Sequence, residues 1–152
     1  MSITLKTIDA ANWQNIIQLS VRADQKSFVA SNSFSLLQSH YESDKVPLAV
    51  YLGEEAIGFM MYGKDPEDGK YWIVRFMIDH RHQGKGYGRT ALLEAIHWIR
   101  GLSDCSPTIT ISYKPDNLIA EALYESVGFK KTGEMTSDHP DKWEVISELY
   151  VK

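Results

Sequence analysis

The stretch Arg81-His82-Gln83-Gly84-Lys85-Gly86-Tyr87-Gly88 joins a strand-like run to a helix-like run, and this junction constrains the fold more than any other part of the chain. Tyr71 to Ile78 (YWIVRFMI) is rich in β-branched and aromatic residues and reads as a strand, while a helical pattern begins at Gly86. Three glycines let the backbone turn tightly and bring successive N–H groups near an anion, and the positive end of the following helix adds to the attraction. Lys85 and Arg89 reinforce that pull, so the junction suits a pyrophosphate.

Two familiar phosphate motifs are excluded by spacing. The dinucleotide fingerprint needs G-x-G-x-x-G, but the chain from Gly84 runs G-K-G-Y-G, with its third glycine one residue early. The P-loop needs a Gly-Lys pair followed by Ser or Thr, and none occurs. What remains is R-x-x-G-x-G, carried by Arg81, Gly84 and Gly86. It resembles the acetyl-CoA pyrophosphate loop of the GNAT family of N-acetyltransferases. Downstream, Asn117-Leu118-Ile119-Ala120-Glu121-Ala122-Leu123-Tyr124-Glu125-Ser126-Val127-Gly128-Phe129 resembles the late motif of that family, with Asn, Ala, Leu-Tyr and Gly-Phe at matching separations. The resemblance covers about the last two thirds of the chain.

With 152 residues, 43% of them hydrophobic, the chain suits a single domain, 1–152, with a sizeable core. A formal charge of −4 gives no basic field for nucleic acid and is compatible with a cationic small-molecule partner. The single cysteine, Cys105, permits no intramolecular disulfide and lacks neighbouring metal-ligand spacing, so no metal is expected. No segment has the length and apolarity of a membrane span or leader, so no membrane association is expected and the cytoplasm is the default location.

Pattern and punctuation give the element order. Ser2 to Ile8 suits a strand; Asp9 is placed to cap a helix carrying Trp13, Ile16, Ile17 and Val21. Phe34 to Tyr41 suits a second helix, with Ser35 and Gln38 spaced as a capping box and Leu36, Leu37 and Tyr41 sharing a face. Pro47 to Leu52 and Ala56 to Tyr62 read as a hairpin, followed by the strand at Tyr71. Leu92, Leu93, Ile96 and Ile99 make the stripe of the next helix, which ends near Gly101. Thr108 to Tyr113 is a strand, and Asn117 to Val127 a helix with Ile119, Ala122, Leu123 and Val127 on one side. Phe129 to Met135 and Trp143 to Val151 are two closing strands around a turn at Asp138-His139-Pro140-Asp141. This order predicts a three-layer α/β (α+β) fold around a mixed, mostly antiparallel sheet of about seven strands, flanked by about four helices.

The resemblance implies more. The strands at Tyr71–Ile78 and Thr108–Tyr113 would run parallel and splay apart, and a pantetheine arm would enter the wedge and pair with backbone groups of Phe76 and Ile78. It assigns cofactor binding to Phe76, Met77, Ile78, Gln83, Gly84, Lys85, Gly86, Tyr87, Gly88, Arg89, Asn117 and Tyr124. Acyl transfer to an amine needs a neutral nucleophile and a proton for the departing thiolate. An alkyl ammonium of pKa near 10.4 is deprotonated to roughly one part in 2,500 at pH 7, so the site must also accept a proton. A phenol of pKa about 10 is protonated at pH 7, and the family match selects Tyr124 among the tyrosines as the acid. Asn117 follows Lys114-Pro115-Asp116 and serves equally as a helix N-cap or as an amide bonded to the cofactor arm. The base stays unassigned: Arg75 stands mid-strand where many family members carry a carboxylate, and Asp79 and His80 read as well as solvated turn residues.

Asp24-Gln25-Lys26-Ser27-Phe28 through Leu36, together with Trp72, Arg75 and the residues that follow, resembles bacterial spermine/spermidine (diamine) N-acetyltransferases. A polyamine needs carboxylates along a groove with aromatic walls. Asp24, Glu42, Asp44 and Glu54 are candidate carboxylates and Phe28, Tyr41 and Trp72 candidate walls, with Arg75 nearby. The leading expectation is an acetyl-CoA-dependent N-acetyltransferase acting on a small polyamine by direct attack. Other amines, such as aminoglycosides, amino acids or protein amines, and a non-catalytic acyl-CoA sensor are the alternatives. A homodimer is a family-level expectation.

Overall fold

Alternating burial along the central strands sets the layers. In β3 (Glu55–Lys64), Phe59 and Met61 pack with one cluster of side chains while Met60 and Tyr62 pack with another, so both faces of the sheet are covered. The computed structural model describes residues 2–136 and 143–152. The turn expected at Asp138–Asp141 lies outside the described residues.

The chain runs β1 (Ile3–Thr7), α1 (Trp13–Gln18), α2 (Asn32–Tyr41), β2 (Lys45–Leu52), β3, β4 (Tyr71–Ile78), α3 (Tyr87–Arg100), β5 (Thr108–Tyr113), α4 (Leu118–Ser126), β6 (Lys130–Thr136) and β7 (Glu144–Tyr150). Single 3-10 turns sit at Ala23–Gln25 and His80–His82. The seven strands form one sheet in the order β1-β2-β3-β4-β5-β7-β6, antiparallel throughout except for the parallel pair β4 and β5. Leu92, Ile96 and Ile99 of α3 and Tyr124 of α4 cover one face through Ile73, Ile109, Ile111 and Phe129. Ile16 and Leu19 cover the other through Ala49, Phe59, Met61 and Met77. The three-layer expectation is met.

Several local expectations are corrected. Asn12, not Asp9, holds the N-cap position of the first helix, without a side-chain cap bond, while the Asp9 carboxylate accepts from the N–H groups of Ala11 and Asn12 in the turn before it. The second helix begins at Asn32, because Ser31 is extended and its hydroxyl accepts from the Phe34 N–H; such a cap is worth about 1 kcal/mol. Ser35 is therefore buried inside the helix, donating to the Ser31 carbonyl, and forms no capping box. Only Leu36 of the expected face packs inward, whereas Leu37 and Tyr41 are exposed. Leu93 is exposed too, its place in the α3 stripe being taken by Ala91 and Ala95. In α4 the inward pair is Ala120 and Tyr124, with Leu123 and Val127 beside them and Ile119 exposed.

The feature that opens the site is in β4. Its pairing with β3 shifts register between Met61↔Arg75 and Tyr62↔Ile73, so Val74 is an extra residue, a β-bulge. Ile73 packs on the α3/α4 face, while Val74 packs on the α1/α2 face and the Arg75 guanidinium reaches Gln38 of α2 at 3.1 Å. The parallel pairing with β5 covers only Tyr71↔Ile109, Trp72↔Thr110 and Ile73↔Ile111. Beyond the bulge the two strands part.

Close approach of β3 and β4 holds the far side of this wedge. A Cβ built on Gly58 would lie 2.5 Å from the Met77 carbonyl oxygen and 2.9 Å from Cδ1 of Ile78. A backbone oxygen cannot yield as a side-chain tip can. Gly58→Ala is expected to lower unfolding free energy by about 1–3 kcal/mol, measured by urea denaturation.

Candidate active site

The loop after β4 is tied down by one buried carboxylate. Asp79 is fully buried; its Oδ1 accepts from the Ser20 N–H at 2.9 Å and its Oδ2 from Arg81 Nε at 2.8 Å and the Arg81 N–H at 3.3 Å. Burial alone would raise its pKa, but the Ser20 and Arg81 hydrogen bonds outweigh burial and hold the group below the ordinary carboxylate value. Asp79 is thus no solvated turn residue, and its lone pairs are committed to structure. The Gln83 amide extends the clamp: its Nε2 donates to the Ile78 carbonyl at 2.9 Å and to Gln25 at 3.0 Å, and its Oε1 accepts from Arg22.

Held this way, the loop presents bare donors. Among the described residues, the backbone N–H groups from Gln83 through Arg89 donate to no protein acceptor, backbone or side chain. Gly84 and Gly86 have φ of 76° and 83°, the left-handed region, and Gly86 caps the N-terminus of α3. Tyr87, Gly88 and Arg89 form the first turn, with Lys85 exposed alongside and Arg89 reaching the Ser126 carbonyl. A run of free N–H groups at a helix N-terminus fits a pyrophosphate.

Where β4 and β5 part, the wedge widens into a cavity of about 1200 Å³. Phe76, Asn117 and Tyr124 line it. Met77 and Ile78 do not: Met77 packs on the α1/α2 face and Ile78 against Ala91, so only their backbone is available to a ligand. The edge of β4 from Val74 to Ile78 that faces β5 has no strand partner. Asn117 caps α4, its Oδ1 accepting from the Ala120 N–H at 3.3 Å, and it also lines the cavity. The Tyr124 ring packs edge-on to Tyr113, with centroids 5.6 Å apart, and its hydroxyl bonds to no protein group among the described residues. Burial, then the charge of Glu144 and the neighbouring Tyr113, push its pKa well above 10, so the phenol stays protonated across the neutral range. Three buried donor groups around the cavity, Trp72 Nε1, Arg75 Nε and the Tyr113 hydroxyl, have no protein partner among the described residues.

On the acceptor side the expectations divide. Phe28, Glu42, Asp44, Trp72 and Arg75 line the cavity. Asp24 does not; it sits on the 3-10 turn with its side chain largely exposed and paired to Arg22. Glu54 lies at the opposite end of β2 from the cavity, and Tyr41 is turned to solvent. Lys45 bridges Glu42 and Asp44, so those two carboxylates are already partnered. Sequence reasoning missed Asp65, Glu67 and Glu144, which also line the cavity and make no ion pair among the described residues.

The Asp79 clamp gives a stability signature. With the folded pKa depressed, the unfolded chain binds more protons in the window between the folded value and the ordinary value of about 3.9. The contribution is complete above that window and lost as pH falls through it. Asp79→Asn is expected to flatten the acid limb of the stability curve, read as denaturation midpoints against pH; an unchanged limb would contradict the clamp.

The matches to known proteins fall on these same elements. The model of the Acetyltransferase (GNAT) family matches residues 13–129. The spermine/spermidine N(1)-acetyltransferase of Bacillus subtilis (strain 168) is 34% identical over 144 residues, 89% of this chain and 92% of that protein. Among solved structures, the spermidine N-acetyltransferase from Vibrio cholerae in complex with coenzyme A and spermine superposes with a TM-score of 0.74 at 19% identity, covering 99% of this chain and 95% of that one. An aminoglycoside acetyltransferase in complex with coenzyme A and kanamycin reaches 0.80 at 18% identity, covering 98% and 95%. A bulge-split parallel pair, a glycine loop of bare N–H groups and a matching family model converge on one conclusion: the chain belongs to the GNAT family of acetyltransferases, enzymes whose acyl donor is acetyl-CoA.

Proposed function

We propose that this acetyltransferase acts on a small polyamine such as spermine or spermidine. The observation that carries the reading is the cavity itself: its lining includes Asp65, Glu67 and Glu144, which make no ion pair among the described residues, and the aromatic residues Phe28 and Trp72. Unpaired carboxylates with an aromatic wall suit a chain of ammonium groups joined by methylenes. The name of the Bacillus subtilis relative supports the same substrate class.

Residue roles follow from position. The N–H groups of Gln83 to Arg89 hold the pyrophosphate, with Lys85 and Arg89 adding charge, and the open edge of β4 at Phe76 to Ile78 receives the pantetheine arm. Acetyl-CoA supplies a thioester carbonyl that a neutral amine can attack. Tyr124, protonated at neutral pH and lining the cavity, donates its proton to the departing sulfur. Asn117 fixes the start of α4 and so the position of Tyr124.

Three outcomes are expected. Release of free CoA from acetyl-CoA should proceed with spermine or spermidine at micromolar to millimolar KM and not with free amino acids; turnover confined to amino acids or peptides would contradict the polyamine reading. Tyr124→Phe should lower kcat about tenfold or more with coenzyme A affinity unchanged, and an undiminished kcat would remove the acid role. Gly86→Ala puts a side chain at a φ of 83°, at a cost of about 1–2 kcal/mol, and should weaken coenzyme A binding measured by calorimetry.

A further inference from the structure

Strand β4 holds no carboxylate. Arg75 stands in the middle of β4, yet the attacking nitrogen must still shed protons. Of the carboxylates around the cavity, Glu42 and Asp44 are bridged by Lys45, and Asp65 and Glu67 belong to the loop between β3 and β4. Glu144 differs from all four. It is the first residue of β7, and its Oε1 accepts a hydrogen bond of 2.7 Å from the Ser112 hydroxyl near the end of β5.

Register fixes which way it faces. Tyr113 pairs with Val145, and both pack on the α3/α4 face, so Ser112 and Glu144 lie on the opposite, α1/α2 face. That is the face of Arg75 and α2. Tyr124 reaches the same cavity from α4 on the other face. The two groups are near enough that the Glu144 charge contributes to holding the Tyr124 phenol protonated. Glu144 and Tyr124 thus reach the cavity from opposite faces of the sheet.

We propose that Glu144, positioned by Ser112, is the proton acceptor for the attacking amine. This rests on the acetyltransferase reading of the cavity and deepens it. The ammonium gives one proton to the Glu144 carboxylate, which passes it to solvent; the freed nitrogen lone pair forms the C–N bond as the C–S bond breaks. Sulfur takes the Tyr124 proton, and the second nitrogen proton returns to the phenolate. The sum is ammonium plus thioester giving amide, thiol and one solvent proton. Ser112 holds one carboxylate oxygen and leaves the other free to face the amine.

Glu144→Gln keeps shape and can still accept from Ser112, so it separates chemistry from folding. The charged and titratable groups lining the cavity with Glu144 are Lys26 after the first 3-10 turn, Glu42, Asp44 and Lys45 between α2 and β2, Asp65 and Glu67 after β3, Arg75 of β4, Tyr113 and Lys114 at the end of β5, and Tyr124 of α4, all unchanged in the variant. The expected result is a fall in kcat of about 100-fold at pH 7, with coenzyme A affinity and melting temperature at wild-type values. The deficit should shrink as pH rises toward the ammonium pKa of about 10.4, where solvent takes over the proton. Ser112→Ala should give a smaller fall in kcat with the same pH trend. A kcat for Glu144→Gln within about threefold of wild type overturns the proposal, as does a raised amine KM at unchanged kcat, which is the mark of simple docking. If the wild type turns over a different amine, the polyamine reading fails and the same ratio, measured on that amine, still decides Glu144; turnover of no amine overturns both.

Discussion

The parallel pairing of β4 and β5 stops after Ile73↔Ile111, and everything the site does depends on that stop. One inserted residue, Val74, reverses the inward-outward alternation of β4 and bends it away from its neighbour. Below the bulge the sheet is a continuous core, with Ile73, Ile109 and Ile111 closing it against α3. Above it the strands keep going without each other, leaving a polar backbone edge and a cavity that opens to solvent. Unpaired backbone groups in a buried sheet are costly unless a ligand or water satisfies them, so the gap is stable because it is solvated or filled.

The loop beyond β4 obeys the same logic on a smaller scale. A stretch of N–H groups without partners needs a rigid frame, or it would fold back on itself. Asp79 and Gln83 provide that frame by binding Ser20, Arg81, Ile78 and Gln25, so these two side chains serve structure and leave the loop's backbone N–H groups open. The arginine of R-x-x-G-x-G illustrates the division: Arg81 is engaged with Asp79.

Much of this was legible in the sequence because it is local. The bounds of β4 and β5 followed from β-branched and aromatic runs, and the glycines at 84 and 86 announced the left-handed turn. What escaped was non-local or broke the pattern. The bulge at Val74 leaves no mark in YWIVRFMI, since its cause is the register with β3. Glu144 and Ser112 are separated by 32 residues and meet only through strand pairing. Asp79 looked like a turn residue because nothing in the sequence shows that Ser20 and Arg81 close over it. Ser35 looked like a cap because the serine that performs the task, Ser31, lies one turn earlier with similar chemistry around it.

The central claim is that the split between β4 and β5 and the bare loop after β4 form one seat for coenzyme A. Backbone amide hydrogen exchange, followed with and without coenzyme A, tests it most directly. The account predicts new protection concentrated in Gln83 to Arg89 and in the open edge of β4 from Val74 to Ile78, with the paired region at Tyr71 to Ile73 unchanged. Protection that leaves both segments untouched, or that appears only on the outer strands, would contradict it.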